Sequence, residues 1–176
     1  MNLSAKKRGE VAELAFMRKA ISLGLGVAKP WGESDCYDFI LNRRESFWRV
    51  QIKSVWIGRS RSGRFTYRVR ATGSNRKSYT ADDIDFLVVY VNPENLWYVF
   101  PAASLPGTTM LKIPPSTVAS AFDPFREAWH LFRERADSSP ESSRLARWQS
   151  NPYAMGMRQR PPSKPVCPPR SGPHTR

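Results

Sequence analysis

One carboxylate, one amide and one lysine fall at strand spacing in the first third of the chain. Asp38 lies in Tyr37-Asp38-Phe39-Ile40-Leu41, and Gln51 and Lys53 in Trp48-Arg49-Val50-Gln51-Ile52-Lys53. Successive side chains of a strand alternate between its faces, so Trp48, Val50, Ile52 and Trp56 share one face while Arg49, Gln51 and Lys53 share the other. The first face is apolar and reads as core; the second is a polar floor. If the run from Tyr37 to Leu41 pairs beside it as a hairpin neighbour, Asp38 lies next to Gln51 and Lys53 at a sheet end. Such a cluster can hold a divalent cation.

Composition bounds what a site of this kind acts on. The chain has 176 residues, 28 Lys and Arg against 15 Asp and Glu, a net charge of +13 and an isoelectric point near 10.3. An excess of that size points to a polyanionic partner, nucleic acid first. A membrane surface would be signalled by a basic amphipathic helix or a lipidation motif, and neither is found. No apolar run approaches the roughly 18 residues that would span a bilayer, and the amino terminus lacks an apolar signal core, so a cytoplasmic location is expected. Cys36 and Cys167 are too few and too far apart for a disulfide framework or a zinc site, and Cys36 reads as a buried strand residue.

The elements that must position these residues lie in residues 1–136, expected to form one domain. From Asp137 onward the chain carries 8 of its 15 prolines, with many Ser and Arg and little apolar periodicity, and residues 137–176 read as a disordered basic tail. That tail holds seven Lys and Arg against two acids, which leaves 21 against 13 in residues 1–136, so the folded part is basic in its own right. A helix is expected from Ser4 to Leu23, its apolar face formed by Val11, Leu14, Ala15 and Ile21 with Phe16, Met17 and Ala20 beside them, ended by Gly24 and Gly26. Strands are expected near 25–29, 36–42, 47–57, 64–71 and 84–91. The last of these is almost continuously apolar, as a central strand covered on both faces would be. Another strand follows at Asn95 to Phe100, then a short turn of helix at Pro101 to Leu105, a strand at Met110 to Ile113, and an amphipathic helix from Pro124 to Arg135 burying Phe125, Ala128, Trp129 and Phe132. The fold class is α/β, a mixed sheet flanked by helices.

Between Lys53 and Thr80 the chain has eight Lys and Arg and no acid. Arg59, Arg61, Arg64, Arg68, Arg70, Arg76 and Lys77 follow the polar strand directly, interleaved with Trp56, Phe65, Tyr67 and Tyr79. A charge run is ordinarily a solvated face, but here Arg64, Arg68 and Arg70 share one side of a strand, and contact with phosphates would give affinity with little sequence information. Lys6, Lys7 and Arg8 add cations at a helix amino terminus, where they oppose the dipole and a phosphate would relieve the mismatch. Asp82, Asp83 and Asp85 look like a second acidic cluster, but a turn and capping role before the central strand suits them better.

In these features the chain resembles the PD-(D/E)xK nuclease superfamily, and within it the small family of PD-(D/E)xK endonucleases related to archaeal Holliday-junction resolvases and some homing endonucleases. The resemblance covers roughly residues 5–102. It is carried by Arg8-Gly9-Glu10-Val11-Ala12-Glu13 opening the first helix, Tyr37-Asp38-Phe39, Val50-Gln51-Ile52-Lys53-Ser54, and Tyr79-Thr80-Ala81-Asp82-Asp83-Ile84-Asp85-Phe86, in that order. It implies a restriction-endonuclease-like fold in which Glu13, Asp38, Gln51 and Lys53 gather round magnesium or manganese. Asp38, Gln51 and the backbone carbonyl of Ile52 would hold the ion, with Glu13 completing the shell directly or through water, and Lys53 would stabilise the developing charge or orient the attacking water. The sequence departs from the family at Gln51, where the common pattern has a carboxylate; an amide oxygen still ligates a hard cation but with one negative charge fewer. The implied activity is metal-dependent hydrolysis of DNA phosphodiesters, with structure selectivity a further expectation, RNA an open alternative substrate and a homodimer one expected assembly. The other reading is a nucleic-acid-binding module on a nuclease-like fold with weak or lost catalysis.

Overall fold

A computed structural model describes residues 3–133 apart from 33, 62, 74 and 75. The tail expected over 137–176, and the domain boundary before it, lie outside the described residues. Helix α1 (Ala5–Ser22) starts at Ser4, whose side chain accepts from the Lys7 backbone N–H at 3.3 Å, and no acid stands in its first turn to offset Lys6, Lys7 and Arg8. It ends at Leu23, after which Gly24 takes a φ of 74°, a left-handed conformation open to glycine. It buries one flank of the broad apolar face expected for it, the flank with Phe16 and Ala20, and leaves the Val11, Leu14 and Ile21 side exposed. Ala12, Phe16 and Ala20 are buried at i, i+4, i+8, whereas Leu14 and Ile21 are 62% and 63% exposed and Val11 is exposed too. Small alanines on either side of Phe16 let the helix approach the sheet closely, which the bulkier stripe would not.

Eight strands follow: β1 (Gly26–Ala28), β2 (Phe39–Arg43), β3 (Ser46–Val55), β4 (Arg59–Arg61), β5 (Arg64–Arg70), β6 (Phe86–Val91), β7 (Leu96–Pro101) and β8 (Met110–Ile113). Five of them form one mixed sheet in the order β1-β2-β3-β6-β7, and β4-β5-β8 form a second, antiparallel sheet. The expected hairpin pairing holds: β2 runs antiparallel to β3 with Phe39 opposite Val50. The β3–β6 pair is parallel, so the chain must cross over between them; it does so through the β4–β5 hairpin, of which β4 had no expectation from sequence. Strand β6 is buried at all six positions, as a central strand should be.

Its alternating side chains feed two cores. Phe86, Val88 and Tyr90 pack with Phe16, Phe39, Trp48, Val50 and Trp97 under α1, while Leu87, Val89 and Val91 pack with Tyr67, Val69, Leu111 and Ile113 under the second sheet. The mixed sheet of the expected α/β fold is therefore covered, among the described residues, by one α-helix on one face and by a small sheet on the other.

Of the final helix expected over 124–135, the described part, 124–133, is not α-helical. In its place stand two 3-10 turns, Asp123–Phe125 and Trp129–Leu131, separated by Glu127 at a φ of 48°. The reason is a docking contact that a helix would forgo: the Glu127 N–H donates to the Trp97 carbonyl at 2.8 Å, and the Trp97 N–H donates to Glu127 Oε1 at 2.9 Å. The segment thus caps the outer edge of β7, and Ala128 and Phe132 still reach the core. Cys36 lies half-buried in a bend before β2 rather than inside a strand. Among the described residues no helix is long and apolar enough to cross a membrane.

Candidate active site

The β2–β3 hairpin places Asp38 and Gln51 against each other for a backbone reason. Pairing of β2 with β3 stops at Phe39 opposite Val50, and one further bond runs from the Asp38 N–H to the Val50 carbonyl at 2.9 Å. The Asp38 side chain then takes over, its Oδ2 accepting from the Ile52 backbone N–H at 2.8 Å. The same oxygen accepts from Gln51 Nε2, which also donates to the Ile52 carbonyl at 3.2 Å. One amide nitrogen therefore stands between the Asp38 carboxylate and the Ile52 carbonyl. Asp38 is only 8% exposed and Gln51 3%, so this contact is made in low dielectric.

Glu13 and Asp38 line a common cleft of about 480 Å³, together with Lys6, Glu10, Lys29, Asp35 and Tyr37. Glu13 Oε2 pairs with Lys29 Nζ at 2.7 Å, and that ammonium also sits 5.7 Å from the Phe39 ring centroid. Lys7 pairs with Glu10 at 2.9 Å, and this hydrogen bond holds the Glu10 carboxyl below the usual carboxylate range, with desolvation working in the other direction. Burial, then the charge of Asp35, pushes the Tyr37 hydroxyl up, with Arg49 working in the other direction. Neither Gln51 nor Lys53, which share the polar side of β3, lines this cleft; Gln51 reaches it through Asp38, and Lys53 is half-buried with Nζ 5.6 Å from the Tyr79 ring centroid.

The structure thus brings Asp38, Gln51 and Ile52 into direct contact, sets Glu13 across the cleft from Asp38, and leaves Lys53 one strand step further along. The donor set consists of oxygens: a carboxylate, a backbone carbonyl, a second carboxylate across the cleft, and the amide oxygen that half a turn of Gln51 would present. Such a set fits a hard divalent cation. Among the described residues no group of three His, Cys, Asp or Glu side chains is gathered for a metal, so an ion here would lean on neutral oxygens beside Asp38.

Arg49, on the same side of β3, has a different task. Its backbone N–H donates to Asp85 Oδ2 at 2.7 Å and its Nε to the same oxygen at 3.2 Å, while its Nη2 donates to the Ala81 carbonyl at 2.8 Å and its Nη1 to that of Asp82. Asp83 accepts from the Thr80 N–H and hydroxyl, each at 2.9 Å. These acids shape the turn into β6, in keeping with the turn role read for them.

The cations singled out by sequence separate into groups. Lys6 lines the cleft, Lys7 is paired with Glu10, and Arg8 is half-buried on α1. Arg59, Arg64, Arg68 and Arg70 are exposed on the second sheet, Arg61 sits on β4, and Arg76 and Lys77 are exposed in the loop leading toward β6. Sequence reasoning passed over Lys29, Asp35 and Tyr37 at the cleft and Lys112 on β8. The antiparallel pairing of β1 with β2, Ala28 opposite Ile40, is the signal that would have brought Lys29 to the cleft.

A mixed sheet whose hairpin sets a carboxylate, an amide and a lysine near one end, faced by a glutamate from the covering helix, has the layout of a nuclease domain. The chain belongs to the PD-(D/E)XK endonuclease family, whose sequence model matches residues 3–131. Among solved structures it is similar to a bacterial homing endonuclease, I-Ssp6803I, with 30% identity and a TM-score of 0.62 over 73% of this chain and 93% of that one. A comparison with curated proteins gave no match.

Proposed function

We propose that this chain is a metal-dependent DNA endonuclease whose centre is built from Asp38, Gln51, the Ile52 carbonyl, Glu13 and Lys53. The observation that carries the reading is the convergence of Asp38 and the Ile52 carbonyl on a single positively polarised group, the Gln51 amide nitrogen, beside a cleft that Glu13 also enters. Magnesium or manganese, when bound, would polarise the scissile phosphate and activate a water at neutral pH. Asp38 supplies the fixed negative charge, held in place by the Ile52 N–H. Gln51 turns its amide to offer Oε1 in place of Nε2. Glu13 adds charge from the helix side once Lys29 is drawn off it, by the incoming phosphate or otherwise. Lys53 stands ready to meet negative charge that develops on the phosphate.

The second reading, a DNA-holding module with weak catalysis, has one observation in its favour: without an ion the Asp38 carboxylate is already served by the Gln51 amide, and a cation must displace that bond. Because the described residues of each chain hold one such cluster, cutting both strands of a duplex would call for two copies, and a homodimer suits a two-fold substrate. The test is incubation of supercoiled plasmid, a branched DNA and a single-stranded RNA with purified protein in magnesium, manganese or chelator. Metal-dependent nicking of circular DNA supports the endonuclease, and preferential cutting of the branched substrate adds structure selectivity. Salt-sensitive binding with no cutting in either metal would favour the second reading.

A further inference from the structure

The β4–β5–β8 sheet carries a set of cations that folding does not explain. Along β5, Tyr67 and Val69 point into the core, so Arg64, Thr66, Arg68 and Arg70 occupy the outer face. Directly opposite residues on neighbouring strands share a face, which adds Arg59 from β4, opposite Thr66, and Lys112 from β8, opposite Arg68. Arg59, Arg64, Arg68, Arg70 and Lys112 are all exposed, and none of them meets a carboxylate among the described residues. Lys7, Lys19, Lys29 and Arg49, by contrast, are each paired with an acid. Like charges facing each other across a strand pair, as Arg68 and Lys112 do, destabilise a sheet. A face that gathers five exposed cations with no counter-charge among the described residues is built for a polyanion outside the molecule.

Pairing divides this face in two. Strand β4 pairs only with Arg64–Thr66, and β8 only with Tyr67–Arg70, so the β4 end of the hairpin is a two-stranded ribbon that β8 does not cover. Two strands about 4.8 Å apart make a ribbon of the width that the major groove of B-DNA, about 12 Å across, admits. The ribbon is also held firmly at its root. The Phe65 ring lies over Gly58, where an added Cβ would come within 2.0 Å of it, and meets Tyr67 edge-on at a centroid distance of 5.3 Å. A ribbon fixed in this way loses little freedom on binding.

We infer that this sheet is the duplex-DNA docking surface: the β4–β5 ribbon enters the major groove with Arg59 and Arg64 at the base edges, while Arg68, Arg70 and Lys112 grip phosphates. The inference rests on the proposed action on DNA, but it concerns binding and is tested without cleavage. Full-length protein in chelator is titrated with a random-sequence duplex and its single strand between 50 and 200 mM salt, and separately incubated with a randomised duplex pool from which bound sequences are read.

Each of Arg68→Gln, Arg70→Gln and Lys112→Gln should lower the slope of log affinity against log salt by about 0.9, which shrinks the affinity change over that salt range by about 3.5-fold. Arg18→Gln, an equal loss of exposed charge on α1, should leave the slope unchanged. Arg59→Gln or Arg64→Gln should flatten the selected sequence at one or two neighbouring positions while leaving the others. Phosphate-side slopes no different from that of Arg18→Gln would overturn the docking surface, as would tighter binding to the single strand than to the duplex. If the wild-type protein shows no salt-dependent affinity for any duplex, the DNA reading itself falls, an outcome distinct from intact binding that ignores the sheet.

Discussion

Replacing Gln51 by glutamate puts a carboxylate where the resemblance implies one and also tests whether an ion belongs between Asp38 and Ile52. In the absence of metal the substitution turns a donor into an acceptor at a buried position. The bond from Nε2 to the Asp38 carboxylate is lost, worth about 1.5–3 kcal/mol for a hydrogen bond to a charged group. Two carboxylates at about 4 Å would further repel by about 4 kcal/mol at an effective dielectric near 20. The cheaper route is to protonate one of them, which from an ordinary glutamate pKa near 4.3 costs about 3.7 kcal/mol at pH 7 and lets the new O–H donate to Asp38 in place of the amide. Gln51→Glu should therefore lose about 4 kcal/mol of stability at pH 7 in chelator, a melting decrease on the order of 10–15 °C for a domain of this size. The loss should fade as pH drops toward 4, because protonation then becomes free.

A divalent cation removes the repulsion instead, and binding to the folded state alone at 100 times its dissociation constant returns about 2.7 kcal/mol. The assay is thermal melting of wild type and Gln51→Glu at pH 5 and pH 7, in chelator and in a magnesium or manganese series. The variant should recover most of its deficit in metal, and the wild type should gain less, because its amide already bridges the oxygens. A variant that melts within about 2 °C of wild type in chelator at pH 7, or that metal fails to raise, would refute the placement of the two side chains and of the ion between them.

Other outcomes follow from the same structure. Phe16→Ala, which strips a fully buried ring from contacts with Phe39, Trp97 and Trp129, should cost about 3–5 kcal/mol in urea unfolding, whereas Leu14→Ala on the exposed side of α1 should stay within about 0.5 kcal/mol. Asp85→Ala leaves the Arg49 backbone N–H and Nε without their acceptor, while the guanidinium keeps the Ala81 and Asp82 carbonyls, and should cost about 2 kcal/mol, measured by the same unfolding curves. Tyr67 is pushed up to about 12 by burial first and then by its hydrogen bond to Glu94. Its folded-state value is the raised one, so the stability it contributes is complete below about pH 10 and is lost as pH rises toward 12. Absorbance titration should show Tyr67 among the tyrosines that ionise late, with Tyr37 and Tyr98 also shifted upward, and Tyr67→Phe should remove its part of the alkaline loss.

The parts of this molecule that were legible in its sequence are those set by near neighbours and by period. Alternation in 47–53 gave the two faces of β3, the unbroken apolar run gave β6, and the short loop between 43 and 46 made the hairpin that sets Asp38 beside Gln51. What escaped depends on partners far along the chain. Phe125, Ala128, Trp129 and Phe132 sit at helical spacing, but two tight turns bury Ala128 and Phe132 equally well once Glu127 exchanges hydrogen bonds with Trp97, thirty residues away. Which flank of the α1 face is buried was not legible because the helix is apolar over more than one stripe and the choice between stripes is made by the sheet it meets. Lys29 reaches Glu13 only because β1 pairs with β2, and Lys112, alone in a short strand, gains its meaning from register with Arg68. At the cleft, Asp38 and Gln51 were readable from the strand pattern, and the polar surroundings that tune them were not.

The most direct measurement is single-turnover cleavage of a duplex by wild type and Asp38→Asn with protein in excess, in magnesium and in chelator, with the bound fraction read from the same reactions. The expected result is cleavage by wild type in magnesium only, reduced at least about 100-fold in Asp38→Asn while both proteins bind the duplex equally; oxygen ligands that fix the ion and stabilise the transition state carry effects of that order. Cleavage by Asp38→Asn within a few-fold of wild type, or cleavage that persists in chelator, would contradict a metal centre at Asp38.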